Sequence, residues 1–140
     1  MTTTDAPTPT PTPPKPVPDE DSAGYWEQLR EHRVVLQACT ECDRRRFPAT
    51  PACPYCAHPH WRLEQAAGTG TVYSFIVVHR AFDPAFAADV PYTVATVDLD
   101  GGGRLIARMD LTAPIGARVG PHFVDHTDWT ELRFQELEAS

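Results

Sequence analysis

The sequence predicts a mainly β protein: an N-terminal short helix and a rubredoxin-like zinc ribbon, followed by a five-stranded antiparallel OB-fold barrel. Three observations lead to this prediction. Four cysteines occur as two CxxC pairs, the chain after them divides into five short segments rich in β-branched and aromatic residues, and Asp100–Gly103 has the composition of a tight hairpin turn. We expect a linker over residues 1–22, the helix and ribbon over 23–62, and the barrel over 63–140.

The charge and the apolar pattern exclude several classes of protein. The 140 residues carry a net charge of −7, and the part from Tyr25 onward holds 11 arginines against 15 acidic residues. A general nucleic-acid binder usually presents a basic field, so this balance argues against one. The sequence has no run of 18 apolar residues that would span a membrane. It also lacks the pattern of a secretory signal, so we expect a cytoplasmic protein.

Residues 1–22 are expected to be a disordered linker rich in proline and threonine. Seven of the 15 prolines precede Tyr25, and Thr-Pro alternates from Pro7 to Pro14. Because proline fixes φ and removes a backbone donor, this stretch favours an extended, polyproline-II-like chain. Three interpretations stay open. It is a disordered tail, a linker to an upstream domain, or a proline-rich ligand of another protein. In the last case Lys15 is the one basic residue that could set the orientation of the bound peptide.

The first predicted element is a short helix that ends near His32 and has Ser22 as its N-cap. The spacing of Tyr25, Trp26 and Leu29 places these side chains on one helical face. A helix this short is marginal by itself. We therefore expect the apolar face to dock, either within this chain or on a partner protein.

The two CxxC pairs carry the strongest functional signal. Cys39 and Cys42 follow a predicted strand over residues 34–38, and Cys53 and Cys56 come ten residues later. Two such turns can aim four thiolates at one tetrahedral ion, and a site of four thiolates has no open position. The sequence thus predicts a structural zinc ion. Disulfides, a redox-active pair and rubredoxin-type iron are the alternatives, and the expected reducing compartment argues against the first.

A basic run lies between the cysteine pairs. Arg44, Arg45 and Arg46 are adjacent, and they can meet phosphates such as those of coenzyme A, or an acidic partner surface. The alternative is a solvated loop whose charge offsets the four thiolates. His58 and His60 follow the last cysteine closely, but with four thiolates present we expect them to be surface residues.

The barrel prediction rests on five strands, namely Thr71–His79, Tyr92–Leu99, Arg104–Leu111, His122–Asp125 and Thr130–Gln135. The first of them is expected to be apolar on both faces, with Tyr73, Phe75 and Val77 on one and Val72, Ile76 and Val78 on the other. A flat sheet is the alternative, but it would leave two hydrophobic edges to protect.

The loop after the first barrel strand holds the remaining candidates. His79 at the strand end is the best candidate acid or base, although a histidine in this position is more often structural or interfacial. Phe82, two residues after Arg80, and Phe86 can stack on an adenine, contact an acyl chain or insert into a partner, or they pack within the loop itself. We expect no catalytic residue in this chain, because all four cysteines are committed to metal.

Taken in order, these motifs resemble the acyl-CoA-associated zinc-ribbon/OB-fold family, long labelled a domain of unknown function. The resemblance covers about residues 25–134. It rests on the aromatic helix, on CxxC…CxxC with Phe47-Pro48 between, and on the ordered segments GTVYSFIVVHR, PY, LDGGGRL and IGARVG.

The resemblance implies partnership more than chemistry. Proteins of the family that this sequence resembles bind thiolase-superfamily enzymes, including sterol-carrier-type thiolases and retro-aldolases that shorten steroid side chains. Some of them are fused or bound to hot-dog-fold enoyl-CoA hydratases. The resemblance implies that this chain is a non-catalytic subunit of a complex with such an enzyme. It also implies that the complex contains two copies of each chain, with acyl-CoA at the interface between them. Candidate acyl-CoA or partner contacts are Arg44, Arg45, Arg46, His79, Arg80 and Phe82, and candidate docking residues are Tyr25, Trp26 and Leu29. A stand-alone acyl-CoA binding module and a single-stranded nucleic-acid binder are the alternatives.

Overall fold

The structure, a computed structural model, describes residues 12–109 and 113–137. Within these ranges one α-helix, α1 (Ala23–Arg30), and a 3₁₀ turn at Pro84–Phe86 accompany eight strands. The strands are β1 (Val35–Cys39), β2 (Arg45–Arg46), β3 (Trp61–Gln65), β4 (Gly70–Val78), β5 (Tyr92–Leu99), β6 (Arg104–Met109), β7 (Arg118–Asp125) and β8 (Thr130–Glu136). The predicted class, a short helix and a ribbon before a barrel, is confirmed.

The ribbon is a three-stranded antiparallel sheet in the order β2-β1-β3. β1 is buried along its whole length, and its Gln37 lies opposite Arg46 on one side and Leu63 on the other. The sequence predicts neither flanking strand, since β2 is only two residues long and β3 carries charged side chains. The expected boundary between residues 62 and 63 falls within β3, so the ribbon sheet continues to Gln65.

The barrel is closed in the order β4-β5-β6-β8-β7. Four of its seams are antiparallel, and the fifth, between β6 and β8, is a short parallel pairing of Arg108 with Arg133 and Met109 with Phe134. The expected all-antiparallel arrangement differs at this seam for a topological reason. Five strands around a ring cannot all alternate in direction, so one neighbouring pair has to be parallel.

A β-bulge in β4 corrects the predicted faces of that strand. The register shifts between Val72 and Ser74, so Val72 pairs with the buried Val97 while Phe75 pairs with the buried Ala95. The inward-facing residues Val72 and Phe75 are therefore three positions apart in the sequence, instead of the two positions expected in a regular strand. Tyr73, predicted to share a face with Phe75, is instead exposed, whereas Phe75 packs against the core.

The ribbon and the barrel share one hydrophobic core. Leu29, Leu36 and Ala66 from the helix and ribbon belong to the same buried cluster as barrel residues such as Phe134. The turn of the β5–β6 hairpin packs against the ribbon at Gly103, which has a φ of +94°. A Cβ atom at this position would lie 2.7 Å from the Leu36 side chain. Glycine is therefore required both by the turn and by the packing of the hairpin on the ribbon.

The chain before α1 is held to the rest of the molecule. Ser22 occupies the N-cap position, but its Oγ accepts a hydrogen bond from the Asp19 N–H at 3.0 Å and makes no cap bond to the helix, which corrects the expected side-chain cap. Further upstream, Lys15 Nζ lies 2.6 Å from an Asp128 carboxylate oxygen. Residues 12–18 form no helix or strand, and the Lys15–Asp128 pair ties them to the loop between β7 and β8.

Some predicted features lie outside the described residues. These are the Thr-Pro repeat up to residue 11, Leu111 at the end of the third predicted barrel strand, and residues 138–140. In the part of the chain that is described, no helix has the length and apolar character needed to cross a bilayer.

Candidate metal centre and binding surfaces

The two CxxC pairs bring four sulfur atoms together in the ribbon. The Sγ atoms of Cys39 and Cys56 are 3.6 Å apart, as are those of Cys42 and Cys53, and all four lie within 4.8 Å of one another. A regular tetrahedron of about 2.3 Å Zn–S bonds has sulfur separations of about 3.8 Å. The four thiolates therefore fit one zinc ion, as the sequence predicts.

This set of ligands makes the zinc structural. Four thiolates fill the tetrahedral shell and leave no position for substrate or water. The rings of His58 and His60 contact each other, with centroids 5.5 Å apart, and among the described residues neither joins the sulfur cluster. The ion replaces the apolar core that so short a ribbon cannot build.

Backbone N–H groups prepare the sulfur atoms for a cation. The Cys42 N–H points to Cys39 Sγ at 3.5 Å, and the Tyr55 N–H points to Cys53 Sγ at 3.4 Å. In the first pair these donors lower the pKa of the Cys39 thiol. In the second, burial opposes ionisation, but the backbone donors outweigh it and lower the pKa of Cys53 to about 6. Both shifts favour the thiolate that binds metal, whereas at Cys56 the His58 N–H lowers the pKa but burial and the three neighbouring sulfur atoms outweigh it and raise the pKa to about 12.

The two turns repeat one backbone conformation. Asp43 and Ala57, each four residues after the first cysteine of its pair, have φ of 62° and 66°. Their N–H groups donate to the carbonyl oxygens of Cys39 at 3.0 Å and Cys53 at 2.8 Å. Aspartate tolerates this left-handed region, whereas alanine is strained in it. Ala57 is therefore a strained position beside the metal.

The three adjacent arginines have three different environments. Arg45 binds Glu64 Oε1 through Nε at 2.8 Å and Nη2 at 2.5 Å, and it donates to the Gly102 carbonyl at 3.1 Å. It thus ties the ribbon to the β5–β6 hairpin. Arg46 is buried, so we no longer propose it as a contact to acyl-CoA or a partner. Only Arg44 is exposed, with its guanidinium 4.8 Å from the centre of the Tyr55 ring.

A cleft of about 620 Å³ opens between the ribbon and the β5–β6 hairpin, and Arg44 lies at its wall. On the barrel side Arg104 stacks on Tyr73 at 3.7 Å and binds Asp98 at 2.6 Å. Arg104 and Arg45 are thus both neutralised by carboxylates, whereas Arg44 has no carboxylate partner among the described residues. Arg46 also lines the cleft without an ion pair to any described residue, but it is buried, so Arg44 is the exposed cation that the cleft offers, beside the exposed Tyr55 ring.

The candidates after β4 lie far from this cleft. Val78, at the end of β4, is eight residues from Gly70, and at about 3.3 Å a residue this places the loop roughly 26 Å from the hairpin that meets the ribbon. His79 and Arg80 are exposed there, and Phe82 is 83% exposed with Arg80 over its ring at 5.4 Å. The structure therefore does not bring the two groups of predicted acyl-CoA contacts into one site.

The apolar face of α1 docks within this chain. Leu29 is completely buried, so we no longer propose it as a partner contact. Tyr25 and Trp26 are half-buried: the Tyr25 ring lies 5.7 Å from Phe47, and the Trp26 ring lies 6.1 Å from Trp129. Burial raises the pKa of Tyr25. Both aromatic side chains keep a surface that a partner can meet.

Sequence reasoning missed the contacts that join distant segments. His32 stacks on Phe123 at 4.6 Å, and its Nε2 lies 2.9 Å from Asp125 Oδ1, which fastens the end of α1 to β7. Arg45 and Glu64 are a second such pair. Neither leaves a local signal, because the partners are 93 and 19 residues apart in sequence.

Comparison with known proteins places this architecture in a family. Residues 26–59 match the family model described as the ChsH2 rubredoxin-like zinc ribbon domain, and residues 63–124 match the ChsH2 C-terminal OB-fold domain. A solved chain named "Ltp2-ChsH2(DUF35) aldolase" is 36% identical, with a TM-score of 0.74, and the match covers 87% of this chain and 98% of that one.

Curated relatives fall into longer and shorter proteins. A probable enoyl-CoA hydratase alpha subunit of Thermomonospora curvata is 40% identical over 81% of this chain, and a 3-oxo-4,17-pregnadiene-20-carboxyl-CoA hydratase alpha subunit of Mycobacterium tuberculosis is 28% identical over 79%. The chain spans only about a third of their length, 34% and 36%. A DUF35 domain-containing scaffold protein of Methanothermobacter thermautotrophicus is 30% identical over 68% of this chain and 72% of its own length. The zinc ribbon, the barrel and these matches together show that the chain belongs to the ChsH2/DUF35 family of zinc-ribbon and OB-fold proteins.

Proposed function

We propose that the chain is a non-catalytic accessory subunit or domain that binds a thiolase-superfamily enzyme, stabilises it and helps to form its acyl-CoA site. The observation that carries this proposal is the likeness to the chain of the Ltp2-ChsH2(DUF35) aldolase, since 98% of that chain is covered. The scaffold name of the archaeal relative supports the same role. The metal site is consistent with it, because a closed tetrathiolate offers no position for catalysis.

The partner in this proposal is a sterol-carrier-type, thiolase-like retro-aldolase of steroid side-chain degradation. The similar solved structure is named an aldolase, which supports this class, and the pregnadiene-carboxyl-CoA name of the mycobacterial relative supports a steroid substrate. Because thiolase-like enzymes usually form twofold dimers, the proposed assembly has two copies of each chain. The four cysteines form no disulfide and are placed to bind metal, which suits a reducing compartment, so we propose a cytoplasmic complex.

A second proposed partner is a hot-dog-fold hydratase, fused or bound upstream. The two hydratase alpha subunits are about three times as long as the segment that this chain matches. Residues 12–18 form no helix or strand, and the sequence before them alternates threonine with proline, which suits an interdomain spacer better than a folded element. We therefore propose that residues 1–22 act as a linker, with the ribbon and barrel after it.

Acyl-CoA is proposed to lie at the interface with the enzyme. Arg44 is the exposed cation that the cleft between ribbon and hairpin offers, and a guanidinium is well suited to a phosphate. The exposed His79, Arg80 and Phe82 lie at the other end of β4, and we propose them as contacts to the partner protein. An aromatic side chain as exposed as Phe82 is a common anchor in interfaces.

Co-expression with the thiolase-like enzyme whose gene lies nearest to the gene of this chain tests the proposal. We expect the two proteins to elute together with the mass of a complex of two copies of each chain, and separate elution would refute the proposed role. Arg44→Glu should weaken the affinity of that complex for coenzyme A. Arg33→Glu, an exposed arginine that does not line the cleft, is the matched control. Saturable binding of coenzyme A by the chain without an enzyme would instead favour the stand-alone binding module.

A further inference from the structure

β4 is paired along only part of its length on the side that faces β7. β5 pairs with the whole strand, whereas β7 pairs with its first two residues. The next residue, Val72, donates its N–H to the Ala117 carbonyl at 3.0 Å and accepts from the Gly116 N–H at 2.8 Å, both in the turn before β7. After the β-bulge, residues 73–78 have no backbone pairing on this side with any described residue. This part of β4 is an unpaired sheet edge, which we call the open edge.

The pairing with β5 determines which backbone groups point out of the open edge. In an antiparallel pair, the N–H and C=O groups of successive residues point alternately toward the neighbouring strand and away from it. Val72 points away from β5 and lies opposite the buried Val97. Phe75 and Val77 lie opposite the next two buried positions of β5, so they continue this alternation. Their two N–H and two C=O groups therefore point out of the open edge.

The open edge lacks the features that prevent exposed strands from pairing. Natural edge strands are commonly protected by charged side chains or by proline. Both edge strands of the ribbon sheet carry charges, with two arginines in β2 and with Arg62 and Glu64 in β3. Residues 73–78 contain neither charge nor proline, and Ile76 and Val77 are 63% and 40% exposed. Unpaired backbone groups beside exposed apolar side chains favour the addition of another strand.

The open edge is complementary to itself. When two copies run antiparallel about a twofold axis at Ile76, Phe75 of one copy lies opposite Val77 of the other. Each of these two pairs exchanges two N–H···O=C bonds, so the outward groups of both chains are all satisfied. The nearest charged residue in the sequence, Arg80, falls opposite Val72, where the edge is already closed. A second copy therefore offers matching backbone groups without placing like charges opposite each other.

We propose that this chain forms a twofold homodimer in which the open edges of two copies pair as antiparallel strands. Ile76 and its copy form a non-hydrogen-bonded pair at the axis, the kind of pair in which side chains approach most closely. Their exposed side chains are covered by each other, and the barrel sheets join across the interface. The inference goes beyond the proposed function, because the contact is between two copies of this chain and needs no enzyme.

Sedimentation equilibrium of the zinc-loaded chain over a series of concentrations tests the dimer. We expect the mass to rise from that of one 15.5 kDa chain toward twice that value. At the concentrations where the mass rises, the amides of Phe75 and Val77 should exchange hydrogen more slowly, while that of Ile76, which points toward β5, should be unchanged. A mass that stays at one chain throughout, or exchange at Phe75 and Val77 that does not depend on concentration, would overturn the proposal.

A charge at the axis tests the assigned position of the interface. Ile76→Lys brings two ammonium groups together in place of two apolar side chains, so the dimer should weaken by about tenfold or more. Ile106→Lys is the matched control, since Ile106 is 53% exposed on β6, two strands away from the open edge, and it should leave the dimer unchanged. Equal weakening by the two substitutions would overturn the assignment.

Mixing two variants separates a lost contact from a folding defect. An equimolar mixture of Ile76→Lys and Ile76→Glu should recover the dimer, because opposite charges then meet at the axis, and a failure to recover it would refute the twofold arrangement. Val77→Pro removes an outward N–H that takes no part in the pairing with β5, and with it two of the four bonds between the copies. This variant should stay a monomer, and a dimer of unchanged affinity would refute the pairing of the edges.

The same amides distinguish the enzyme as the occupant. If the chain alone stays a monomer, and Phe75 and Val77 become protected only when the thiolase-like enzyme is added, the open edge binds the enzyme and the homodimer is wrong. Dimerisation of the chain with no enzyme present, with protection at these two residues, supports the homodimer even if the chain then fails to bind the enzyme and the proposed function is refuted.

Discussion

Leu29 is the side chain on which the attachment of α1 depends, and Leu29→Ala tests that dependence. The substitution removes three carbon atoms from a fully buried position. At about 0.8 kcal/mol for each buried carbon, the lost transfer free energy is about 2.4 kcal/mol. The cavity left behind adds to this, so we expect the free energy of unfolding to fall by about 3 to 4 kcal/mol. That is a large fraction of the stability of a small domain.

Urea denaturation followed by tryptophan fluorescence measures this loss, because Trp26 and Trp129 lie at the helix–barrel contact. Ile115→Ala is the control, since Ile115 is 66% exposed and should change the stability by less than about 0.5 kcal/mol. Equal effects of the two substitutions would refute the conclusion that α1 belongs to the shared core. A loss below about 1 kcal/mol at Leu29 would do the same.

Three further predictions concern the metal, the strained turn and one carboxylate. Cys42→Ser should release zinc and unfold the ribbon, measured by metal content and by amide exchange of β1, and retention of one zinc per chain would contradict the assigned ligands. Ala57→Gly should stabilise the zinc-loaded chain by about 0.5–1 kcal/mol, because glycine adopts φ +66 without strain, and a loss in thermal denaturation would show that the turn is unstrained. The Arg118 guanidinium and the Thr69 hydroxyl lower the pKa of Asp100 to about 2. The carboxylate therefore stabilises the fold above its ordinary pKa of 3.8, and this stabilisation is lost as the pH falls from about 4 to about 2. The carboxyl ¹³C shift should titrate near pH 2 and return toward the ordinary value in Arg118→Gln, and an unchanged midpoint in that variant would argue against the ion pair.

The zinc site and the barrel strands could be predicted because their signals are local. Two CxxC pairs specify ligand type, number and geometry within 18 residues, Cys39 to Cys56. Four of the predicted barrel strands both begin and end within a residue or two of the observed strands; the exception is β7, which ends at Asp125 as predicted but begins at Arg118 instead of His122. Its first half has the composition of a turn because Gly116 precedes it and Gly120 lies within it, although of these two only Gly116 has a positive φ.

The features that could not be predicted depend on contacts between distant segments. The bulge in β4 and the parallel seam between β6 and β8 arise from closing the barrel, and no local pattern reports them. The basic run is uniform in the sequence, yet the fold separates it into an exposed Arg44, a paired Arg45 and a buried Arg46. The roles of Arg45 and Arg46 depend on the positions of Glu64 on β3 and Gln37 on β1, which only the sheet register provides.

The most direct test of the account is the turnover of an acyl-CoA aldol substrate by the purified thiolase-like enzyme, with and without the zinc-loaded chain. We expect the enzyme to be inactive or unstable alone, active when an equimolar amount of the chain is added, and the chain alone to show no turnover. Turnover by the chain without the enzyme, or full activity of the enzyme without the chain, would contradict the proposal that this protein acts by supporting the active site of another.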